Sequence, residues 1–247
     1  MGVFSKTDEF KKLNVGFSFD ESVPASDPKE IIVFYGERTC RQITVTSKGT
    51  PGHGSTLTRG TAGEKLYYVI DKLMKFREQE LIKVEQGAWF GDVTTINLTI
   101  LQGGVQVNIL PENLSTSFDI RIASDFDVDV FDEMLSKWCR EAGDGVTFKY
   151  FNKNPQAGNT VLDDDTLPFW TVMKKEAHDM GITLRPVICP GTTDARYSRQ
   201  RGIPAIGFSP LPNTPLLLHA NNESLSVDVY KQGIDIMERI VKSVAIA

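Results

Sequence analysis

The sequence predicts an α/β protein in which one folding unit is inserted into another. Two observations carry that expectation. Across residues 41–152, alternating strands and amphipathic helices follow the order β-α-β-β-α-β, the ferredoxin-like split unit of four antiparallel strands with two helices on one face. On either side, in residues 15–35 and 162–247, strand and helix patterns succeed one another in the manner of a parallel α/β sheet. The expected boundaries are 1–38 for the first segment of the outer unit, 39–153 for the insertion and 154–247 for the second segment.

Residues 15–19 read as a short buried strand running into Asp20 and Glu21. Acidic residues at a strand's carboxyl end suit a ligand site, and equally a solvated loop pair. A Pro/Ser/Asp loop over 22–29 leads to an apolar strand at 31–35. Ile43 and Val45 then alternate with Thr44 and Thr46, a strand with one buried face. Residues 61–81 are helical, with Leu66, Ile70 and Leu73 on the apolar stripe and Glu64, Lys65, Asp71, Lys72 and Lys75 off it. Ile96, Leu98 and Ile100 make the second strand, which Gly103-Gly104 ends. After a loop over 105–113, Phe118, Ile120 and Ile122 share one face of the third strand and Asp119 and Arg121 the other. A second helix over 127–142 is expected to bury Val130, Met134, Leu135 and Trp138, and Val146, Phe148 and Tyr150 form the fourth strand. The sheet has one covered face and exposed edges of the kind used to pair with a second chain.

The linker over 152–162 is rich in Asn, Pro and Gly. Asp165 or Thr166 is expected to cap a helix running to about Met180, with Pro168 in its first turn. His178 lies beside the apolar stripe of that helix and reads as a surface residue. A strand at 182–188, a turn and short helix from Pro190, a strand at 204–208, a Pro/Asn loop and a final helix from about Ser226 complete the chain.

Composition bounds the function. The chain has 247 residues, a net charge of −5 and no run of Lys/Arg, which disfavours nucleic acid and anionic membrane surfaces. No apolar stretch approaches the ~20 residues of a membrane span. The polar residues 1–12 lack a signal-peptide core. Cys40, Cys139 and Cys189 are few, odd in number and far apart, which fits reduced cytoplasmic thiols and leaves the sequons at Asn97, Asn113 and Asn222 without meaning.

The chemistry centres on residues 47–55, Ser-Lys-Gly-Thr-Pro-Gly-His-Gly-Ser. Glycines here permit positive φ and close backbone approach. They surround one imidazole, a side chain suited to polarising a carbonyl or carrying a proton near neutrality. From these residues alone, His53 reads either as that group or as a surface turn histidine.

An ordered set of motifs narrows the choice: Phe19-Asp20-Glu21, Gly49-x-Pro51-Gly52-His53, Gly103-Gly104 followed by Asn108-Ile109-Leu110-Pro111, Phe118-Asp119-Ile120-Arg121, Thr193-Asp194-x-Arg196-Tyr197, Pro204-Ala205-Ile206-Gly207-Phe208-Ser209-Pro210, and Thr214-Pro215 leading to His219. Over nearly the whole chain, this set resembles the zinc-dependent M20 peptidase family. The resemblance implies that the insertion is a lid or dimerisation domain and the flanks are part of a catalytic α/β domain. It implies hydrolysis of an amide, here of N-acyl-amino acids, by a two-zinc site with a glutamate base. By the same resemblance, Glu21 and His219 are zinc ligands. His53 polarises the scissile carbonyl in a partner subunit's site, and Asn108 lies near that carbonyl. Arg121, with Asp119 beside it, and Arg199 hold the substrate carboxylate, and Thr193 contacts substrate. The family's H-x-D motif, bridging Asp and Glu-Glu pair have no counterpart in the twenty residues before Glu21. One zinc ligand for each of two ions falls short of the three or four a site needs. Two expectations follow: an amidohydrolase incomplete in this chain alone, or a non-catalytic dimerisation partner that lends His53 to a full-length relative.

Overall fold

In the computed structural model, which describes residues 1–247, the first segment carries the short helix α1 (Asp8–Lys12), strand β1 (Ser18–Asp20) and strand β2 (Glu30–Glu37). Thr7 caps α1 by accepting a hydrogen bond from the Phe10 N–H. The expected strand over 15–19 is shorter and later: pairing with a neighbour begins only at Ser18. Ile31, Val33 and Phe34 are buried, so β2 is covered on both faces and reads as an apolar run.

The inserted unit, Arg38–Gln156, comprises β3 (Thr39–Lys48), β4 (Gly52–His53), α2 (Ala62–Glu85), β5 (Thr95–Gly103), β6 (Ile109–Leu110), β7 (Asn113–Ile122), α3 (Val128–Ala142) and β8 (Val146–Lys153). Its main sheet has the order β5-β7-β3-β8 with every neighbour antiparallel, the ferredoxin-like arrangement. Ile43 lies opposite Phe118 and Tyr150 in the ladder. It joins Leu66, Leu73, Ile96, Phe131 and Leu135 in a buried core between the sheet and the two helices. Each such side chain contributes about 1.5–3 kcal/mol by leaving water. A capping box starts α2: Thr61 Oγ1 accepts from the Glu64 N–H and the Glu64 carboxylate accepts from the Thr61 N–H. In α3 the stripe differs from the expected one. Val128, Phe131, Leu135 and Cys139 are buried, whereas Val130 is 51% exposed, because the inward face is set by Phe131 one position on. The loop over 105–113 also contains a strand, β6, too short to show a period.

The outer unit is Met1–Glu37 with Ala157–Ala247. Its second segment holds α4 (Pro168–Asp179), β9 (Thr183–Cys189), α5 (Ala195–Arg199), β10 (Ala205–Phe208) and α6 (Val227–Val244). The sheet order is β1-β10-β2-β9. β1 runs parallel to β10 and β2 parallel to β9, but β10 and β2 are antiparallel, so the sheet is mixed and not the parallel one expected. Strand direction depends on which strands meet across the chain, and alternating patterns do not encode that. Leu167, not Asp165 or Thr166, holds the N-cap of α4, with Pro168 at the first helical position and no side-chain cap. Ile31, Val33, Met173, Ile206, Phe208, Ile236 and Ile240 form this unit's core. No helix is long and apolar enough to cross a membrane. The three cysteines are buried and form no disulfide.

Candidate functional site

The inserted unit brings His53 and Asn108 onto one ribbon. β4 and β6 pair antiparallel, Gly52 with Leu110 and His53 with Ile109. The next rung is the Gly54 N–H donating to the Asn108 carbonyl at 2.8 Å. A Cβ on Gly54 would lie 3.3 Å from the Asn108 carbonyl carbon and oxygen, so glycine allows the approach. The turn folds back on itself: the Thr56 N–H and Oγ1 both donate to the His53 carbonyl, at 3.0 and 2.7 Å. His53 is exposed, and its Nδ1 lies 2.8 Å from Ser55 Oγ and accepts from the Ser55 N–H at 3.2 Å. The base of the turn is fixed by the Gly49 N–H to the Glu112 carbonyl (2.9 Å) and the Thr50 N–H to the Gly60 carbonyl (3.0 Å).

Arg121 and Asp119 point to the same side of β7, two residues apart. Arg121 Nε donates to Asp119 Oδ1 at 2.8 Å and Nη2 to Oδ2 at 3.0 Å, while Gln42 Nε2 donates to Oδ2 at 2.7 Å. The Arg121 hydrogen bonds hold the Asp119 carboxyl below the usual carboxylate range. A substrate carboxylate reaching Arg121 would therefore compete with a resident bidentate partner.

In the outer unit, Asp20 and Glu21 end β1. The Asp20 carboxylate accepts from the Glu21 N–H at 2.9 Å and from the Ala195 N–H at the start of α5. The hydrogen bond between the two carboxyls, with burial and the nearby charges of Asp20 and Asp194, pushes Glu21 up to about 7. Burial works against the Asp20 charge, yet hydrogen bonds from Glu21 and Ala195 bring its pKa down. His219 lies in an exposed turn with φ of 61°, its N–H donating to Glu223 Oε2 at 3.2 Å. Ser22 and Glu223 line one groove of about 470 Å³, so the segments carrying Glu21 and His219 border the same groove. Even so, no three His, Cys, Asp or Glu side chains gather as a metal cluster. The residues present do not fit a two-zinc centre, which needs three or four protein ligands per ion.

Thr193 and Arg199 are interior. Glu37, at the end of β2, accepts from the Thr193 N–H (3.1 Å), Thr193 Oγ1 (2.7 Å) and Arg199 Nη2 (2.6 Å), with Arg196 Nη1 at 3.6 Å. Arg199 Nη1 donates to the Ala205 carbonyl at 3.2 Å, and the side chains of Arg199 and Glu37 are each 3% exposed. Thus Thr193 and Arg199 are both buried and both bonded to Glu37, with Arg199 held to the Ala205 carbonyl as well. Sequence reasoning did not single out Glu37, although it follows an apolar strand just as Asp20-Glu21 does. His178 is a surface residue, its side chain 91% exposed.

Residues 35–147, which span nearly all of the inserted unit, match the family described as peptidase dimerisation domain. Aminoacylase-1A of Rattus norvegicus is 43% identical over 247 residues, 99% of this chain and 60% of that protein. Aminoacylase-1 of Homo sapiens is 41% identical over 99% of this chain and 60% of its own length, and that of Dictyostelium discoideum 39% identical over 98% and 61%. The chain thus spans about three fifths of the length of these curated relatives. Among solved structures, aminopeptidase PepT from Bacillus cereus superposes with a TM-score of 0.70 at 17% identity, covering 98% of this chain and 61% of that one. A tripeptidase from Staphylococcus aureus gives 0.70 at 18%, again covering 98% and 61%. These two likenesses concern the fold.

Proposed function

We propose that this chain, which resembles the aminoacylase-1 branch of the M20 peptidases over three fifths of their length, supplies the lid side of an aminoacylase-like amidohydrolase. The reaction is hydrolysis of N-acyl-L-amino acids to a carboxylate and a free amino acid, in a cytoplasmic setting that the three unpaired-by-disulfide cysteines suit. The observation that carries the reading is the β4–β6 ribbon, which carries exposed His53 on one strand and exposed Asn108 at the start of the other. A neutral imidazole and a carboxamide are both able to donate to a carbonyl oxygen as it gains negative charge. Zinc, two ions in relatives of this type by the family resemblance, would have to be held mainly by donors outside residues 1–247, with Glu21 and His219 as this chain's candidates.

A second reading has its own support. The inserted unit has a complete core and an ordered ribbon, while the metal side is without a cluster. That combination suits a dimerisation partner that lends His53 to a full-length aminoacylase in a mixed dimer. A symmetric dimer places the same patch on both subunits, so a mixed dimer would keep one working site of two.

One pair of experiments tests both. The purified chain is expected to hold fewer than two zinc ions by metal analysis and to leave an N-acetyl amino acid uncleaved. Two tightly bound ions with turnover would overturn the incomplete-site reading. Co-expressed with a full-length aminoacylase, the mixed dimer is expected to hydrolyse the substrate, and His53→Ala in this chain to lower the rate of that site about 10²–10³-fold while dimerisation persists. An unchanged rate would return His53 to the role of a surface turn residue.

A further inference from the structure

The contacts around the His53 ring assign its proton. Nδ1 accepts from the Ser55 backbone N–H at 3.2 Å and lies 2.8 Å from Ser55 Oγ. A backbone N–H only donates, so Nδ1 must present its lone pair. A proton on Nδ1 would point at the Ser55 N–H proton and lose that bond, even if it could bond Ser55 Oγ. With Nδ1 bare, the Ser55 hydroxyl also donates to it. In the neutral ring the proton then sits on Nε2.

We propose that Ser55 is a positioning residue that locks His53 in the Nε2–H tautomer, so that the ring acts through Nε2 as a hydrogen-bond donor toward an acceptor from outside the chain. Its use on a scissile carbonyl rests on the function proposed above; the tautomer itself does not. The lock is local and rigid. Donor and acceptor are two residues apart, and the His53 carbonyl is held by both donors of Thr56. Gly54, between them, is bonded to Asn108. The ring therefore keeps one orientation as well as one proton position, which a donor aimed at a developing oxyanion needs. It also means that Nε2 does not start the reaction as a base, since its lone pair is already protonated.

The chain has three histidines, so ¹⁵N-histidine labelling of the full 247-residue protein gives three resolvable imidazoles. Long-range ¹H–¹⁵N correlation, at a pH where all three are neutral, reads which nitrogen carries the proton. His178 is an internal contrast: its side chain is 91% exposed and its Nδ1 lies 3.7 Å from Asp179 Oδ1, beyond hydrogen-bond reach, so no partner holds its proton on one nitrogen. The expected result is a bare Nδ1 and a protonated Nε2 in His53, with a larger Nε2–H fraction than in His178. Ser55→Ala keeps the backbone donor and removes the hydroxyl. It should move the His53 tautomer ratio toward that of His178 by roughly two- to fivefold, the worth of one ordinary hydrogen bond, and Ser55→Thr should restore it. In the mixed dimer, Ser55→Ala should lower kcat with KM little changed, and Ser55→Thr should recover it. Predominant Nδ1–H in His53, a ratio no different from that of His178, or a Ser55→Ala ratio equal to the wild type would overturn the proposal. A mixed dimer indifferent to His53→Ala, with the tautomer as stated, would instead sink the trans role and leave the Ser55 lock standing.

Discussion

At the scale of single residues, the position of His53 depends on an atom that is absent. A Cβ on Gly49 would stand 1.9 Å from the Ala62 nitrogen and 2.3 Å from the Thr61 carbonyl carbon, deep inside van der Waals contact with the backbone at the start of α2. Backbone cannot swing aside as a side chain can, so any residue but glycine must push the turn off the helix. Gly52, three positions on, is a fair control: its nearest neighbour to an added Cβ is Leu110 Cδ1 at 3.6 Å, an ordinary contact. Gly49→Ala is expected to lose about 1–3 kcal/mol of stability in denaturant unfolding and to shift the amide signals of Thr50 and of residues 52–56. Gly52→Ala is expected to stay within about 0.5 kcal/mol of the wild type. Equal effects of the two substitutions would contradict this packing. Residue by residue, the ribbon was partly legible: the glycines and His53 stood out, and the motif order pointed to Asn108. Glu37 did not stand out, because nothing in Gly36-Glu37-Arg38 distinguishes a buried acceptor from a solvated strand end until Thr193 and Arg199 arrive from more than 150 residues away.

At the scale of elements, an ion network ties α3 to two strands of the inserted sheet. Arg41 on β3, its side chain 2% exposed, gives Nε to Asp132 Oδ1 at 3.1 Å and Nη2 to Oδ2 at 3.3 Å. Lys153 on β8 reaches Asp132 Oδ2 at 3.0 Å. Burial opposes the Asp132 charge, but hydrogen bonds from Arg41, Tyr150 and Lys153 win and lower its pKa. A carboxyl whose pKa falls on folding stabilises the fold above its unfolded value of 3.8 and loses that contribution as pH falls through the folded value. Asp132→Asn leaves Arg41 buried without its counter-charge, so a loss on the order of 2–4 kcal/mol is expected at pH 7. The gap between variant and wild type should begin to narrow as pH falls below about 3.8, where the unfolded carboxyl protonates, and close below the lowered folded value, where the native carboxyl protonates too. A gap independent of pH would mean that the charge plays no part. Elements of this unit were readable where a period had room to repeat, as in β3, β7 and α2. The two-residue strands β4 and β6 have no period to read, and the antiparallel pairing of β10 with β2 is a tertiary choice.

At the scale of the molecule, the outer unit leaves apolar surface uncovered along α6. One face, Val229, Gly233, Ile236, Ile240 and Val244, is buried. Beside it, Val227, Tyr230, Ile234 and Val241 are 66, 56, 51 and 45% exposed. A groove of about 280 Å³ runs along this side, lined by Phe208, Pro210, Leu211, Tyr230, Ile234 and Met237. Leu216 and Leu218 of the same unit are 53 and 50% exposed. Single exposed apolar residues are ordinary, but a row at helical spacing over an apolar groove forms a patch that monomers usually cover. The 247-residue chain is therefore expected to bind a hydrophobic dye more strongly than a compact monomeric control of similar size. Ile234→Lys and Tyr230→Lys together should lower that binding and any self-association, yet shift Tm little, because both side chains are already half in water. Dye binding at the control level would show that the face is no more exposed than an ordinary surface. A fall in Tm of many degrees on the double substitution would place Tyr230 and Ile234 in the packed core, not on an open face.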